Sequence, residues 1–465
     1  MRVTRGADPF AAGLARIREQ FDVPGEFPAD ATAAAETAAA RQPGADGDAR
    51  HVDRTAIPFV TLDPASARDL DQAFAIERAG DDVVLRYAIA DVGFFVEPGD
   101  PLDREAWARG VTVYLPEEKA SLYPPLLSEG AASLLPDAPK PAVVFSVLID
   151  ADGDARLDGV ERAIVRSRAK LAYDAARADE LPQEFAELSR RIQLAERRRD
   201  APRVDFPEQE IDHTAGGAWS LVFRPRLESE ERNAGMSLAT NLAVADALHA
   251  AGTGLFRVMA EPDERAIQRL RHTARAFGFT WPVEQNLLQF QRTLPAGDPR
   301  SAAFLIAVRR AGGGASYEAY AAGRRPWHAA MAATYAHATA PLRRLADRYV
   351  VEAALAVANG QEVPDDVQAA FTELPAAMER GESLANRVDA AVLDLAEAVL
   401  LAGREGDVLD AVVVDEDDRG ALAQLADPAV LARVSAHDVD PGDDLRVKVV
   451  AVDVEARHVE LERVG

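Results

Sequence analysis

The sequence of 465 residues contains no cysteine. This absence excludes disulfide bonds, zinc–thiolate sites and thiol nucleophiles. No apolar stretch approaches the length that spans a bilayer, and the N-terminus, Met1–Phe10, lacks the apolar core of a signal peptide. We therefore expect a soluble, cytoplasmic protein that has no membrane partner.

Positive charge is also scarce. Lys and Arg total 52 against 77 Asp and Glu, which gives a net charge of -25. Such an acidic chain repels nucleic acid at long range, so nucleic-acid binding would require a local concentration of basic residues. Arginines do cluster in the second half of the middle region, at Arg224, Arg226, Arg309, Arg310, Arg324, Arg325, Arg343, Arg344 and Arg348. Together they predict a positive channel inside an acidic protein, although each pair alone also suits a solvated helix face.

The length predicts two or three domains, and the residue pattern divides the chain into three. Residues 1–50 predict a small helical N-terminal domain, whose short helices suit a helix-turn-helix among other arrangements. Residues 51–402 mix strands and helices without a regular βαβ repeat, which indicates an α+β domain. Residues 403–465 hold several short strands separated by Asp/Gly turns, which favours an OB-type β-barrel. The expected fold class is therefore α+β multidomain, and we expect a monomer.

Periodicity and turn residues predict individual elements in the middle region. The predicted strands are Ile57–Leu62, Gln72–Arg78, Val83–Ala90 and Ala142–Ile149. The predicted helices are Glu184–Arg199, Glu230–Ala251, Glu264–Phe277, Pro341–Asn359 and Leu384–Ala402.

An aspartate cluster carries the clearest chemistry. Asp69 and Asp71 are two residues apart, so an extended backbone points both side chains to one face. Asp63 ends an apolar run, and the loop Pro64–Arg68 can bring it back beside the pair. Carboxylates that crowd together repel each other, and a hard cation such as Mg²⁺ or Mn²⁺ would neutralise them. The spacing alone favours a surface loop of scattered aspartates in so acidic a chain.

A second motif, Thr339–Arg344, predicts the start of a helix with Pro341 near its first turn. Arg343 and Arg344 would then lie at the positive end of the helix dipole, where cations are disfavoured. A bound phosphate would account for them, and so would pairing with a nearby carboxylate.

Five blocks of the sequence resemble the RNB family, the ribonuclease II and ribonuclease R exoribonucleases. They follow the family order over roughly residues 55–400: the aspartate signature, then RYAIADV from Arg86, GVTVYLP from Gly110 with PPLLSEGAASL from Pro124, IVRSRAKLAY from Ile164, and YAHATAPLRRLADRY from Tyr335. The resemblance implies an RNB catalytic domain at 51–402. It also implies Mg²⁺-dependent 3′-to-5′ hydrolysis of RNA with a single-stranded 3′ end, releasing nucleoside 5′-monophosphates. The strand and turn order of the last sixty residues resembles an S1-type RNA-binding domain, but the segment is very acidic and has no aromatic residue from Gly406 onward.

The resemblance also assigns roles to the metal site. Asp63, Asp69 and Asp71 fall on three of the four aspartates of the family signature, and Gln72 stands at the fourth. A glutamine offers a carbonyl oxygen to a metal but brings no charge, so this departure predicts weaker binding or a changed metal preference.

Further roles concern the RNA. Arg343, together with Arg344, would contact phosphate, with Arg343 stabilising charge on the scissile phosphate. Tyr114 would stack on a base near the 3′ end. Asp389 would lie near the active site, and Asp91 would act from behind the metal ligands or as a structural residue.

A rival interpretation remains open from the residues. Gln72 also suits an RNB-like protein that has lost catalysis and only binds RNA. No sequence feature reads a 2′-hydroxyl, so discrimination against DNA rests on the resemblance alone.

Overall fold

The structure is a computed structural model. It describes residues 8–43, 51–116, 118–136, 138–199, 201, 208–213, 219–224, 226–295, 298–417, 420–425, 430–436, 439 and 442–464. Within this part of the chain, no helix is long and apolar enough to cross a membrane.

The helices are α1 Pro9–Gln20, α2 Ala29–Ala39, α3 Val92–Phe95, α4 Pro101–Arg109, α5 Phe185–Arg198, α6 Glu228–Ala250, α7 Glu264–Ala276, α8 Leu287–Gln291, α9 Pro299–Ala311, α10 Leu345–Ala358 and α11 Asp365–Leu401. The strands of the first half are β1 Val52–Asp53, β2 Thr61–Asp63, β3 Gln72–Ala79, β4 Asp82–Ala90, β5 Val113–Tyr114, β6 Lys119–Ala120, β7 Lys140–Ile149, β8 Ala155–Val165 and β9 Lys170–Ala172. Those of the second half are β10 Glu208–His213, β11 Trp219–Arg224, β12 Leu255–Met259, β13 Ala315–Ala319, β14 Val408–Asp417, β15 Gly420–Leu425, β16 Leu431–Ser435, β17 Asp444–Asp453 and β18 His458–Arg463.

A five-stranded sheet in the order β1-β8-β7-β4-β3 forms the centre of the middle region. Its β3–β4, β4–β7 and β7–β8 pairs are antiparallel, and β1 joins β8 in parallel. The strand β4 is buried along most of its length because helices α5, α6 and α10 pack against the neighbouring strands β7 and β8. This sheet and its helices hold the start of β3, and with it the aspartate segment, in a rigid frame.

The C-terminal strands close into a barrel in the order β14-β15-β16-β18-β17. All of its pairs are antiparallel except β16–β18, which is parallel. The barrel confirms the predicted OB-type architecture, and the combination of sheet, helices and barrel confirms the α+β multidomain class.

The two N-terminal helices join different hydrophobic clusters. Phe10, Leu14 and Ile17 of α1 pack in a cluster with the C-terminal half of α11 and the barrel. Ala35 and Ala38 of α2 belong to the main cluster around the central sheet. The division at 1–50, 51–402 and 403–465 stays a prediction, and residues 44–50 lie outside the described residues.

Two predicted helix starts are wrong. α10 begins at Leu345, because Arg344 has an extended backbone (φ -135°, ψ 123°) and forms a β-bridge with Val111. α11 begins at Asp365 rather than Leu384, and Pro375 lies inside it. Proline removes one backbone donor without ending every helix, and the buried face of α11 continues on both sides of it. The predicted strand Ile57–Leu62 is also shorter, as Thr61–Asp63.

Candidate active site

The aspartate segment connects two strands. Asp63 ends β2, which pairs in parallel with β9, and Gln72 begins β3. Between them Leu70 is fully buried, and its backbone is fixed by Ser133 and Leu134. Because Leu70 faces the core, the flanking Asp69 and Asp71 face the opposite side.

All three carboxylates line one cavity of about 1090 Å³. The cavity brings together six residues that the sequence nominated, namely Asp63, Asp69, Asp71, Gln72, Tyr114 and Arg343. They come from three separate parts of the chain, namely residues 63–72, Tyr114 and Arg343. Only the folded structure brings these three parts together.

Each aspartate has a positive neighbour. Lys119 Nζ lies 2.8 Å from Asp69 Oδ1, and Arg343 Nε lies 3.4 Å from Asp71 Oδ2. Asp63 feels the charges of Lys170 and Arg343. These cations offset the mutual repulsion that the sequence predicts for the cluster.

Burial has the largest effect on the pKa values of two of the carboxyl groups, and it raises both. It raises the pKa of Asp63 to about 6 and that of Asp71 to about 7, although Lys170 and Arg343 oppose the shift at Asp63 and Arg343 opposes it at Asp71. A carboxylate that is costly to ionise in its pocket gains most from a cation placed beside it.

The segment that carries Arg343 is held on two sides. Leu342 N donates to Asp71 Oδ1 at 2.7 Å, and Gln72 Nε2 donates to the carbonyl oxygen of Thr339 at 2.6 Å. On the other side Thr112 N donates to the carbonyl oxygen of Arg343 at 3.0 Å. The Arg343 side chain itself is 43% exposed, so its guanidinium remains accessible to a ligand in the cavity.

Gln72 uses both ends of its amide within the protein. Its Nε2 atom bonds to Thr339, and its Oε1 atom accepts a hydrogen bond from the hydroxyl of Tyr87 at 2.7 Å. The carbonyl oxygen that the sequence offered as a metal ligand therefore already has a partner.

Tyr114 lies on a short hairpin at the cavity wall. It pairs with Lys119 across β5 and β6, and the residue is 54% exposed. The chain enters this hairpin at Gly110, which has a positive φ of 72° and lies against Gly381 of α11. A Cβ atom on Gly381 would lie 2.8 Å from the carbonyl oxygen of Arg109, so only glycine lets the hairpin approach the helix this closely.

Three nominated residues do not line the cavity. Arg344 forms an ion pair with Asp347, with Nε 2.9 Å from Oδ2, so the RNA contact expected of it is not supported. Its supposed place in a helical first turn was wrong, because the helix starts after it. Asp389 is exposed on α11, next to the cluster shared with the barrel, and it does not line the cavity, so its expected place near the active site stays a prediction.

Asp91 belongs to a buried polar network instead. Its carboxylate bonds to His51 Nε2 at 2.9 Å and to Arg162, and these contacts hold its pKa below the ordinary value despite burial. His337 is half-buried, with Nδ1 2.7 Å from the hydroxyl of Tyr317.

Of the clustered arginines whose side chains the structure describes, Arg226 and Arg343 line the cavity and the others do not. Arg224, Arg324 and Arg348 each pair with a carboxylate, of Glu230, Glu318 and Asp103 respectively. The side chains of Arg309 and Arg310 lie outside the described residues. The described cavity lining holds three arginines beside seven carboxylates: Arg226, Arg271 and Arg343, with Asp63, Asp69, Asp71, Glu196, Glu230, Glu231 and Glu261.

Sequence reasoning missed Lys119 and Tyr173. Tyr173 lines the cavity just after β9, and its hydroxyl accepts a hydrogen bond from Asn233 Nδ2 at 2.9 Å. Its place at the end of the IVRSRAKLAY block was a usable signal. Lys119 had none, because only the pairing of β5 with β6 brings it to Asp69.

The donor set fits one hard divalent cation. Among the described residues, no group of three or more His, Cys, Asp or Glu side chains is close enough to form a metal cage. Mg²⁺, however, is commonly held by one or two carboxylates, with water and substrate phosphate completing its shell. Asp63 and Asp71, with their raised pKa values and shared cavity, suit that kind of site.

Comparison with known proteins gives a consistent picture. Residues 51–358 match the family model described as RNB domain, and residues 407–464 match the RNase II-type exonuclease C-terminal S1 domain. Ribonuclease R of Aquifex aeolicus is 26% identical over 449 residues, which cover 86% of this chain and 63% of that protein. The chain thus spans less than two thirds of the length of this relative.

Two other similarities are informative. A structure of Mycoplasma genitalium RNase R in complex with ribose methylated single-stranded RNA has a TM-score of 0.86 at 18% identity, and the match covers 98% of this chain and 78% of that one. At that identity it shows a shared fold. A protein of Arabidopsis thaliana named Inactive exonuclease DIS3L2 is 41% identical over 130 residues, 27% of this chain and 12% of its own.

Proposed function

The chain belongs to the RNB-domain family, and on that basis we propose that it is a metal-dependent exoribonuclease that removes nucleotides from a 3′ end. The observation that carries the proposal is the single cavity lined by Asp63, Asp71, Arg343 and Tyr114. It joins oxygen ligands for a hard cation, a guanidinium for phosphate and an exposed aromatic ring. Binding and cleavage at the end of a single-stranded RNA would use all three features.

The proposed substrate is RNA with a single-stranded 3′ end. Tyr114, with its exposed ring, stacks on a terminal base, and such stacking tolerates any sequence. The relatives named ribonuclease R, and the neighbour solved with single-stranded RNA, support this choice. The expected products are nucleoside 5′-monophosphates.

The chain's own residues divide the work as follows. Arg343 donates hydrogen bonds to the scissile phosphate and stabilises the charge that develops on it. Asp71 orients Arg343 by receiving Leu342 N and by facing Nε of the guanidinium. Asp63 and Asp71 would hold Mg²⁺ or Mn²⁺, which when bound would polarise the phosphate and supply an activated water.

A second candidate function is RNA binding with weak or absent catalysis. It is favoured by Gln72, which contributes no charge and whose amide oxygen is already bonded to Tyr87. One relative described as inactive shows that the name of an exonuclease does not guarantee its activity.

One assay separates the two functions. The purified chain is incubated with 5′-labelled single-stranded RNA and Mg²⁺ or Mn²⁺, and with the same sequence as DNA. The enzyme shortens the RNA stepwise from its 3′ end and releases mononucleotides. Asp71→Asn abolishes these products but spares binding, and Asp158→Asn, which changes an exposed aspartate on β8, changes neither. RNA that is bound but never shortened would refute the enzymatic proposal. The cytoplasmic location and the monomeric state stay predictions.

A further inference from the structure

Lysine is rare in this chain, and its placement is uneven. The sequence has four lysines, Lys119, Lys140, Lys170 and Lys448, among 52 basic residues. Two of them, Lys119 and Lys170, adjoin the aspartate cluster. A lysine ammonium is a compact point charge, unlike the planar fork of arginine, so it resembles a small cation more closely.

Lys119 reaches the cluster from the hairpin that bears Tyr114. Its Nζ atom lies 2.8 Å from Asp69 Oδ1 and 2.9 Å from Glu129 Oε1. The side chains of Lys119 and Asp69 are only 20% and 14% exposed, so water screens this pair weakly. Asp69 thus has a resident positive partner inside the site.

We propose that Lys119 acts as a built-in counter-ion to Asp69, so that the cluster takes one divalent cation, held by Asp63 and Asp71. The inference rests on the proposed function. An ammonium within hydrogen-bond distance of a carboxylate competes with any metal ion for the same oxygen, and it repels a cation nearby. Gln72 adds no negative charge, and Lys119 neutralises part of the charge of the carboxylates. The site therefore has less negative charge for bound cations to neutralise.

The same contact has a positional consequence. Tyr114 and Lys119 are direct partners across the hairpin, so the bond to Asp69 ties the hairpin to the aspartate segment. Lys119 is therefore a positioning residue for the stacking platform as well as a competitor for the metal.

The test measures Mn²⁺ binding to the full chain by electron paramagnetic resonance, without RNA. The wild type is expected to bind one Mn²⁺ per chain. Lys119→Met frees Asp69, so affinity rises by about tenfold or a second ion binds, since a neighbouring charge shifts such equilibria by roughly one to three powers of ten. Lys119→Arg keeps the wild-type stoichiometry. Lys448→Met, which removes an exposed barrel lysine, changes nothing.

A second pair of variants keeps the inference testable if Lys119→Met does not fold. Asp69→Asn leaves Lys119 with less compensation and lowers Mn²⁺ affinity only modestly, while Asp63→Asn removes a ligand and lowers it by about tenfold or more. Equal losses in both variants, no Mn²⁺ binding by the wild type, or an affinity and a stoichiometry that are both unchanged in folded Lys119→Met would overturn the inference. A wild type that binds one Mn²⁺ without degrading RNA would refute only the proposed function. RNA degradation with Asp69 required for Mn²⁺ binding would refute only the role of Lys119.

Discussion

Asp71 contacts the segment that carries Arg343 at two points, the backbone N–H of Leu342 and the side chain of Arg343. Oδ1 of Asp71 accepts the N–H of Leu342 at 2.7 Å, and Oδ2 lies 3.4 Å from Arg343 Nε, although Leu342 is 271 residues further along the chain. The segment proposed to bind the metal and the segment proposed to bind phosphate are therefore joined directly through Asp71.

Arg343→Ala should reduce catalysis without affecting the fold. Its guanidinium is 43% exposed and faces the cavity, so its loss removes a donor to the phosphate at little structural cost. We expect kcat to fall by about 10²–10³-fold, the usual effect of removing one such donor, with Tm unchanged. Arg156→Ala, a surface arginine on β8, is the matched control for kcat and Tm.

The neighbouring variant Arg344→Ala should behave in the opposite way. Arg344 forms an ion pair with the fully buried Asp347, and its removal leaves that carboxylate without its cation. Breaking such a pair costs about 3–5 kcal/mol, which urea unfolding would measure. If Arg344→Ala instead keeps its stability and loses RNA affinity, the assignment of Arg344 to the fold is wrong.

Cation binding should weaken as the pH falls through about 7 to 6. Burial raises the pKa of Asp71 to about 7 and that of Asp63 to about 6, above their ordinary value of 3.8. Carboxyls with raised folded-state pKa values stabilise the fold below about pH 4, and this contribution is lost as the pH rises through 6 to 7. Above about pH 7 both carboxyl groups are ionised. A cation that binds them there should stabilise the folded protein.

The measurement is Tm with and without Mg²⁺ across pH. The increase that Mg²⁺ produces should be larger at about pH 8 than at about pH 5.5, because bound metal requires the ionised ligand. Asp71→Asn should remove the upper step of this dependence. An Mg²⁺ effect that does not vary with pH would contradict the assignment of these two ligands.

Much of the candidate site could be predicted from the sequence. The aspartate spacing and the ordered blocks nominated Asp63, Asp71, Tyr114 and Arg343, and these line the same cavity. The prediction that Arg343 and Arg344 lie in the first turn of a helix was wrong, because the helix begins at Leu345. Arg343 lies in a turn and Arg344 has an extended backbone, and in this arrangement Arg343 lines the cavity while Arg344 pairs with Asp347.

Long-range pairing was beyond the sequence. Lys119 reaches Asp69 through a two-residue strand pair, and Gln72 reaches Thr339 through a contact between segments 267 residues apart. Neither contact leaves a periodic signal. The full length of helix α11 could not be predicted either. Pro375 indicates a break in the helix, whereas the structure has one helix with a buried face on both sides of this proline.

Tyr114→Ala should weaken RNA binding, while Tyr114→Phe should preserve it. The exposed ring offers a stacking face, and the loss of one base–aromatic stack costs about 1–3 kcal/mol. Fluorescence anisotropy with single-stranded RNA, in an Asp71→Asn background that prevents degradation, would measure it. An equal loss in both variants would point to the hydroxyl rather than to stacking.

Gln72→Asp should decide how far the glutamine limits this site. Aspartate places a carboxylate near Asp63 and Asp71, but it is too short to bond to both Tyr87 and Thr339 as Gln72 does. We expect Mg²⁺ affinity to rise by about tenfold, from the added charge, and stability to fall by about 1–3 kcal/mol, from the unpaired polar groups. Gln72→Asn is the matched control, because it is equally short and loses the same bonds without gaining charge. RNA degradation that increases in Gln72→Asp but not in Gln72→Asn would identify a working enzyme limited by its cation. If neither variant degrades RNA although Gln72→Asp binds Mg²⁺ tightly, a missing carboxylate is not the reason for inactivity, and RNA binding without catalysis becomes the better description.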